Sequence, residues 1–155
     1  MKALSLVQPY ADLILSGKKT IELRNWAWRS SFKGRFLVHS SQRIDLETCQ
    51  LLGIDPQKCL RGYLLGESKI IDRYFFWSNK GLEEQYERHF AKDYFTQEEY
   101  DKGHAAGFVL EPQTYSRFVH PQEYRGALGF FEVPDEVIPS TLSRFDMALY
   151  RREST

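Results

Sequence analysis

A glycine followed at once by a charged, β-prone stretch is the feature that most restricts how this chain can fold: Gly17-Lys18-Lys19-Thr20-Ile21-Glu22-Leu23-Arg24. Upstream, Tyr10, Leu13 and Ile14 recur at helical spacing behind Pro9, whose missing N–H suits a first helical turn. Gly17 is placed to end that helix in a left-handed conformation. Downstream, Lys19 to Arg24 reads as a strand, on which successive side chains point to opposite faces. Ile21 and Leu23 therefore face a core, while Thr20, Glu22 and Arg24 share the other side. Lys19, where the chain leaves the helix, reaches toward either. The product is a compact polar site beside an apolar face. A solvated strand face with one Glu–Arg pair satisfies the same pattern, because surface ion pairs are common and weak.

Around this stretch, strands alternate with short helices. Ala3 to Val7 and Gly34 to Ser40 read as strands, and the loop between 25 and 33 holds Trp26, Trp28 and Arg29. Leu46 to Leu52 reads as a helix capped by Asp45 and ended by Gly53. Arg61 to Phe76 is a long strand or a pair of strands, bent at Gly62 and Gly66. From Ser78 to Lys102 the chain is dense in charge, and Leu82, Tyr86 and Phe90 share one helix face. Thr96-Gln97-Glu98-Glu99 has the capping-box pattern of a further short helix. Gly107 to Pro112, Tyr115 to His120 and Gly126 to Val133 resume strand character. Without repeats, low-complexity tracts or a linker, residues 1–155 are expected to form one domain. The pattern predicts an α+β fold on a small mixed or antiparallel β-barrel, with flanking helices and a helical insertion at about 78–104.

Net charge is zero, which argues against a polycation built to coat nucleic acid. The balance is uneven, however: residues 1–40 carry seven Lys or Arg against Asp12 and Glu22, which points to one locally positive face. Cys49 and Cys59 lack any ligand spacing, so a disulfide scaffold or structural zinc is not expected. The apolar run Ala3 to Val7 is too short for a signal-peptide core, and no stretch is long enough to span a membrane. A cytoplasmic protein is the expectation.

Leu4 to Arg24 resembles the opening of the ASCH domain: Gly17, Lys19, Glu22 and Arg24 meet its spaced Gly, Lys, Glu and Arg. The Gln8-Pro9-Tyr10 turn, the strand from Gly34 to Ser40 and the late Gly126 to Val133 segment are similar as well. The likeness is strongest over residues 1–40, looser over 60–76 and 105–133, and absent from 78–104. It implies a PUA-like β-barrel with a cleft lined by the motif residues, and RNA binding as the general role. Some small bacterial members are amidohydrolases that deacylate N4-acetylcytidine, and others are described as ribonucleases. In those amidohydrolases the motif Lys works with a Thr three residues later and with a distant Glu. Lys19 matches the Lys, Glu22 stands at the Thr position, and Thr20 lies two positions earlier. Glu67 is the candidate for the distant carboxylate, in competition with Asp72.

Physically, a Lys beside a Glu either stays an ion pair or, once desolvated, becomes a base. In amide hydrolysis Glu22 would activate a water while Lys19 steadies the oxyanion. In RNA cleavage Lys19 and Arg24 would stabilise the phosphorane, and Glu22 or His39 would accept the 2′-hydroxyl proton. Neither scheme requires a metal or another cofactor. For binding, Trp26 and Trp28 beside Arg24 and Arg29 offer a stacking surface, with one tryptophan expected to touch ligand and the other to pack. Gln8, Tyr10 and Thr20 are further candidates near the cleft. His39 is either a satisfied histidine or a donor to a base or ribose; with Ser40 it makes no hydrolase triad, since no nucleophile elbow surrounds that serine. Three readings follow: an ASCH-type module for RNA or a modified nucleotide, a small metal-independent hydrolase using Lys19 and Glu22, or a protein-interaction domain with a vestigial cleft.

Overall fold

The computed structural model describes residues 1–112 and 115–140. Among these residues, seven strands and five short helices follow one another in chain order. They are β1 (Lys2–Gln8), α1 (Tyr10–Leu15), β2 (Ile21–Leu23), β3 (Gly34–Ile44), α2 (Leu46–Leu52) and β4 (Tyr63–Phe75), then α3 (Asn79–Glu84), α4 (Tyr86–His89), α5 (Gln97–Asp101), β5 (Ala106–Leu110), β6 (Ser116–Glu123) and β7 (Phe130–Glu132). The sheet runs β2-β5-β4-β3-β1-β7, with β6 added on β4. Among the described residues, only β1 and β3 pair in parallel, and every other strand pair is antiparallel.

The expected α+β class with a mixed sheet is therefore present. The expected barrel is not: β2 and β7 end the sheet without pairing each other, so it is open rather than closed. The single domain expected over 1–155 takes in residues 113–114 and 141–155, which lie outside the described residues.

Local signals account for several boundaries. Asp45 accepts from the Thr48 N–H to cap α2, and Gly53 ends that helix with φ 67°. Thr96 and Glu99 form the full capping box of α5. Gly17 adopts φ 81°, and the Tyr115 ring packs so closely over it that an added Cβ would lie 2.9 Å from the ring. Gly66 has a stronger reason to be glycine. A Cβ there would sit 2.1 Å from the Ser116 carbonyl, at the place where β6 joins β4.

Two expectations are corrected. Leu82, Tyr86 and Phe90 do not share one helix: the chain breaks at Gln85 between α3 and α4, and Phe90 turns to φ 61°. Leu82 is buried in an apolar cluster with Phe95 and Tyr100, and His89 is buried beside Phe76. The Gly126 to Val133 strand shrinks to Phe130–Glu132, and the preceding residues run irregularly past Ser5 and His39.

The principal core lies between the sheet and α1, with Leu4, Leu6, Ile14, Phe36, Val38, Ile70 and Phe108 among its buried members. A second cluster joins Ile21 and Leu23 of β2 to Leu82, Phe95 and Tyr100 of the helical segment. This cluster fastens residues 79–101 onto the motif strand. Among the described residues, no helix is long and apolar enough to cross a membrane.

Candidate functional site

The strand expected over Lys19 to Arg24 is shorter, Ile21–Leu23, and Thr20 does not join the cleft, but the alternation holds from Ile21 to Arg24. Ile21 and Leu23 enter the second core cluster, and Glu22 and Arg24 turn the other way into a cleft of about 580 Å³. Lys19 folds in beneath them. Its ammonium donates to the carbonyls of Ile21 at 2.7 Å and His89 at 2.8 Å, and lies 3.2 Å from Glu22 Oε1. The second carboxylate oxygen of Glu22 accepts from Arg24 Nε at 2.9 Å, and Arg24 Nη2 donates to the Ser5 carbonyl at 2.6 Å. Lys19 and Glu22 are 3% and 7% exposed, so the Lys19–Glu22 pair is buried rather than a solvated strand face, with Arg24 half-buried at its edge. Burial lowers the pKa of Lys19, while the charge and hydrogen bond of Glu22 act against that shift.

One wall of the cleft comes from α1 and α2. The Tyr10 hydroxyl donates to Asp45 Oδ2 at 2.8 Å and lies 3.0 Å from Thr48 Oγ1. Burial raises the Tyr10 pKa, with the Asp45 carboxylate adding to it, so the phenol stays protonated. Asp45 is driven up by burial but is held below the usual carboxylate range by donors from Thr48 and Tyr10. The Lys19 ammonium stands 5.1 Å from the centre of the Tyr10 ring.

The facing wall is the helical segment, which supplies Tyr86, Phe90, Lys92 and Tyr94. Tyr86 meets the rings of His89 and Phe90 edge-on. Tyr94 as a whole stays exposed, yet its phenol is pushed up to about 12, first by burial and then by the charge of Glu22. His89 secures this wall to the floor. Its Nδ1 accepts from the Ala91 N–H at 3.0 Å, which leaves Nε2 to donate to Leu82 O at 2.8 Å, while its own carbonyl accepts a hydrogen bond from the Lys19 ammonium. Burial lowers the His89 pKa, and the ring is neutral.

Of the residues singled out in the sequence, Lys19, Glu22, Arg24 and Tyr10 come together in the cleft. Gln8, Thr20, Trp26, Arg29 and Glu67 are not among its lining residues. Gln8 is fully buried and holds the start of α1, donating to Leu60 O and Asp12 and accepting from the Asp12 N–H. Thr20 ties the segment together through its backbone, to Arg88 O and the Leu110 N–H. Trp26 packs edge-on against Phe108 and Phe130 in the main core, and Trp28 stacks on His104 at 3.7 Å. Arg29 is exposed on the loop. Glu67 pairs loosely with Arg35 at 3.8 Å. His39 borders a different cavity, of about 640 Å³, which shares Ser5, Ser41, Ala127 and Leu128 with the cleft.

Tyr86, His89 and Tyr94 line the cleft without standing out in the sequence as site residues. Their charged surroundings read as a rim insertion, and the usable signal was the aromatic spacing within it.

A family model described as the ASCH domain matches residues 4–117. No curated protein matches the chain. The fold is similar to the crystal structure of ASCH from Zymomonas mobilis, at 15% identity over 87% of this chain and 88% of that one, with a TM-score of 0.51. A tyrosine-to-phenylalanine mutant of that protein is matched at 14% identity over 87% and 91% of the two chains, with a TM-score of 0.49. A serine-to-alanine mutant is matched at 13% identity over 98% and 94%, with a TM-score of 0.47. Because the family model spans most of the chain and takes in the whole motif strand, this protein belongs to the ASCH domain family.

Proposed function

We propose that the cleft binds a single nucleoside or nucleotide unit, either free or exposed on an RNA. The observation that carries this reading is a floor of mutually satisfied charges lying beneath an aromatic wall. Lys19 directs its ammonium at two carbonyls and a carboxylate, and each Glu22 oxygen already has a cationic partner. Such a floor presents fixed dipoles to a base edge without needing to change protonation. Tyr86 and Tyr94 offer faces for stacking, worth about 1–3 kcal/mol per base. Arg43 and Lys92, also on the lining, suit an attached phosphate.

A second reading, hydrolysis through Lys19 and Glu22, draws on the lowered Lys19 pKa, which a general base needs. Calorimetric titration with the four ribonucleosides, N4-acetylcytidine and a short single-stranded RNA separates the readings, with chromatography of each mixture for product. Saturable binding of one nucleoside with little salt dependence supports the proposal. A steep salt slope restricted to the oligonucleotide points to a phosphate-tracking surface instead. Turnover that disappears in Lys19→Ala establishes the hydrolase.

A further inference from the structure

The parallel pairing of β1 with β3 sets Ser5 opposite His39, a juxtaposition the sequence spacing conceals. Ser5 Oγ lies 2.9 Å from His39 Nδ1, and His39 Nε2 lies 2.6 Å from the Tyr124 carbonyl. A carbonyl only accepts, so the ring proton resides on Nε2. Nδ1 is then bare and receives the Ser5 hydroxyl proton. The ring is 1% exposed, and burial keeps it neutral.

These are the relations of an activated nucleophile: a hydroxyl, a base within hydrogen-bond reach, and a third group that fixes the tautomer of the base. The pair is not sealed off. Ser5 lines both cavities, and Gly126 passes so close that a Cβ there would lie 2.8 Å from the imidazole and 2.9 Å from Ser5 Oγ. A residue larger than glycine would cover the hydroxyl.

We propose that Ser5 and His39 form an acyl-transfer dyad acting on small carboxylic esters that enter from either cavity, with Tyr124 as the positioning carbonyl. Ser5 Oγ adds to the ester carbonyl carbon and gives its proton to Nδ1. The bond to the leaving alcohol breaks, and that alcohol takes the proton from Nδ1. Water then adds to the acyl-Ser5 carbonyl, again through Nδ1, and the bond from the acyl carbon to Oγ breaks to restore serine and release the acid. The Tyr124 carbonyl accepts from Nε2–H throughout and steadies the imidazolium formed in each half.

The test is to incubate the intact protein with a fluorophosphonate and read the modified peptide by mass spectrometry, alongside hydrolysis of p-nitrophenyl acetate. Modification at Ser5 is expected, slowed by about 10²-fold or more in His39→Gln and absent in Ser5→Ala. Because His39 is buried and its variant is liable to misfold, the wild-type chain is also labelled in denaturing urea, where the pair dissolves and labelling is expected to stop. Native wild-type protein left unmodified at Ser5, or modified as fast in urea as in buffer, overturns the proposal.

Discussion

The floor of the cleft and its outer wall are joined by the Lys19 bond to the His89 carbonyl and the Thr20 N–H bond to the Arg88 carbonyl, but they are held in opposite ways. On the floor, Lys19, Glu22 and Arg24 stay in place through one another and through backbone carbonyls, with Lys19 and Glu22 almost out of contact with water and Arg24 half-buried. The wall is three short helices that no strand pairing supports, anchored by Leu82, Phe95 and Tyr100 and by local caps. Charges taken out of water demand complete partnering, so the floor tolerates no partial change. The wall is modular: its anchors pack against β2, and Tyr86 and Tyr94 line the cleft. Under the proposed binding role, affinity is adjusted at the wall and the floor sets which polar pattern is read.

Breaking the floor is expected to have the largest effect. Glu22→Ala leaves the Lys19 ammonium buried without its carboxylate, at a cost of about 3–5 kcal/mol in urea unfolding. A loss below about 1 kcal/mol would mean that water reaches Lys19 and that the floor is not dry. Tyr94→Ala sharpens the contrast from the other side. It is expected to weaken nucleoside binding by about 1–3 kcal/mol in calorimetry while leaving the unfolding midpoint near wild type. Thr96→Ala removes the cap of α5 and is expected to cost about 1 kcal/mol of stability. If the wall is modular, hydrogen exchange rises in residues 86–101 and not in β2.

Acid should bring the gentlest change. Burial lowers the pKa of both His39 and His89 below the ordinary value of 6.5. Below about pH 6.5 the unfolded chain therefore takes up protons that the folded one refuses, and stability falls as pH drops toward the folded pKa values. Urea midpoints at about pH 8 and about pH 5.5 check this, and His89→Asn is expected to flatten the slope.

Where partners lie close in sequence, the structure was legible beforehand. Asp45 with Thr48, Thr96 with Glu99 and the left-handed Gly17 are each settled within one turn of backbone. The in-and-out alternation of Ile21, Glu22, Leu23 and Arg24 follows from strand geometry alone, and with it the heart of the cleft. Trp26 was misplaced as a candidate for the ligand surface because its partners, Phe108 and Phe130, lie far along the chain. Gln8 is not available to a ligand, because Leu60 and Asp12, the former distant in the chain, take up its amide.

The sequence alone determined the caps, the strand alternation, the family motif and the position of a helical segment between two strands. Those properties depend on steric and hydrogen-bonding rules that act over a few residues. Only the tertiary structure decided that the sheet stays open, that residues 86–94 face the motif, and that Ser5 stands against His39. Each of these is a contact between distant segments, chosen by the register and packing of the whole sheet, which local spacing does not encode.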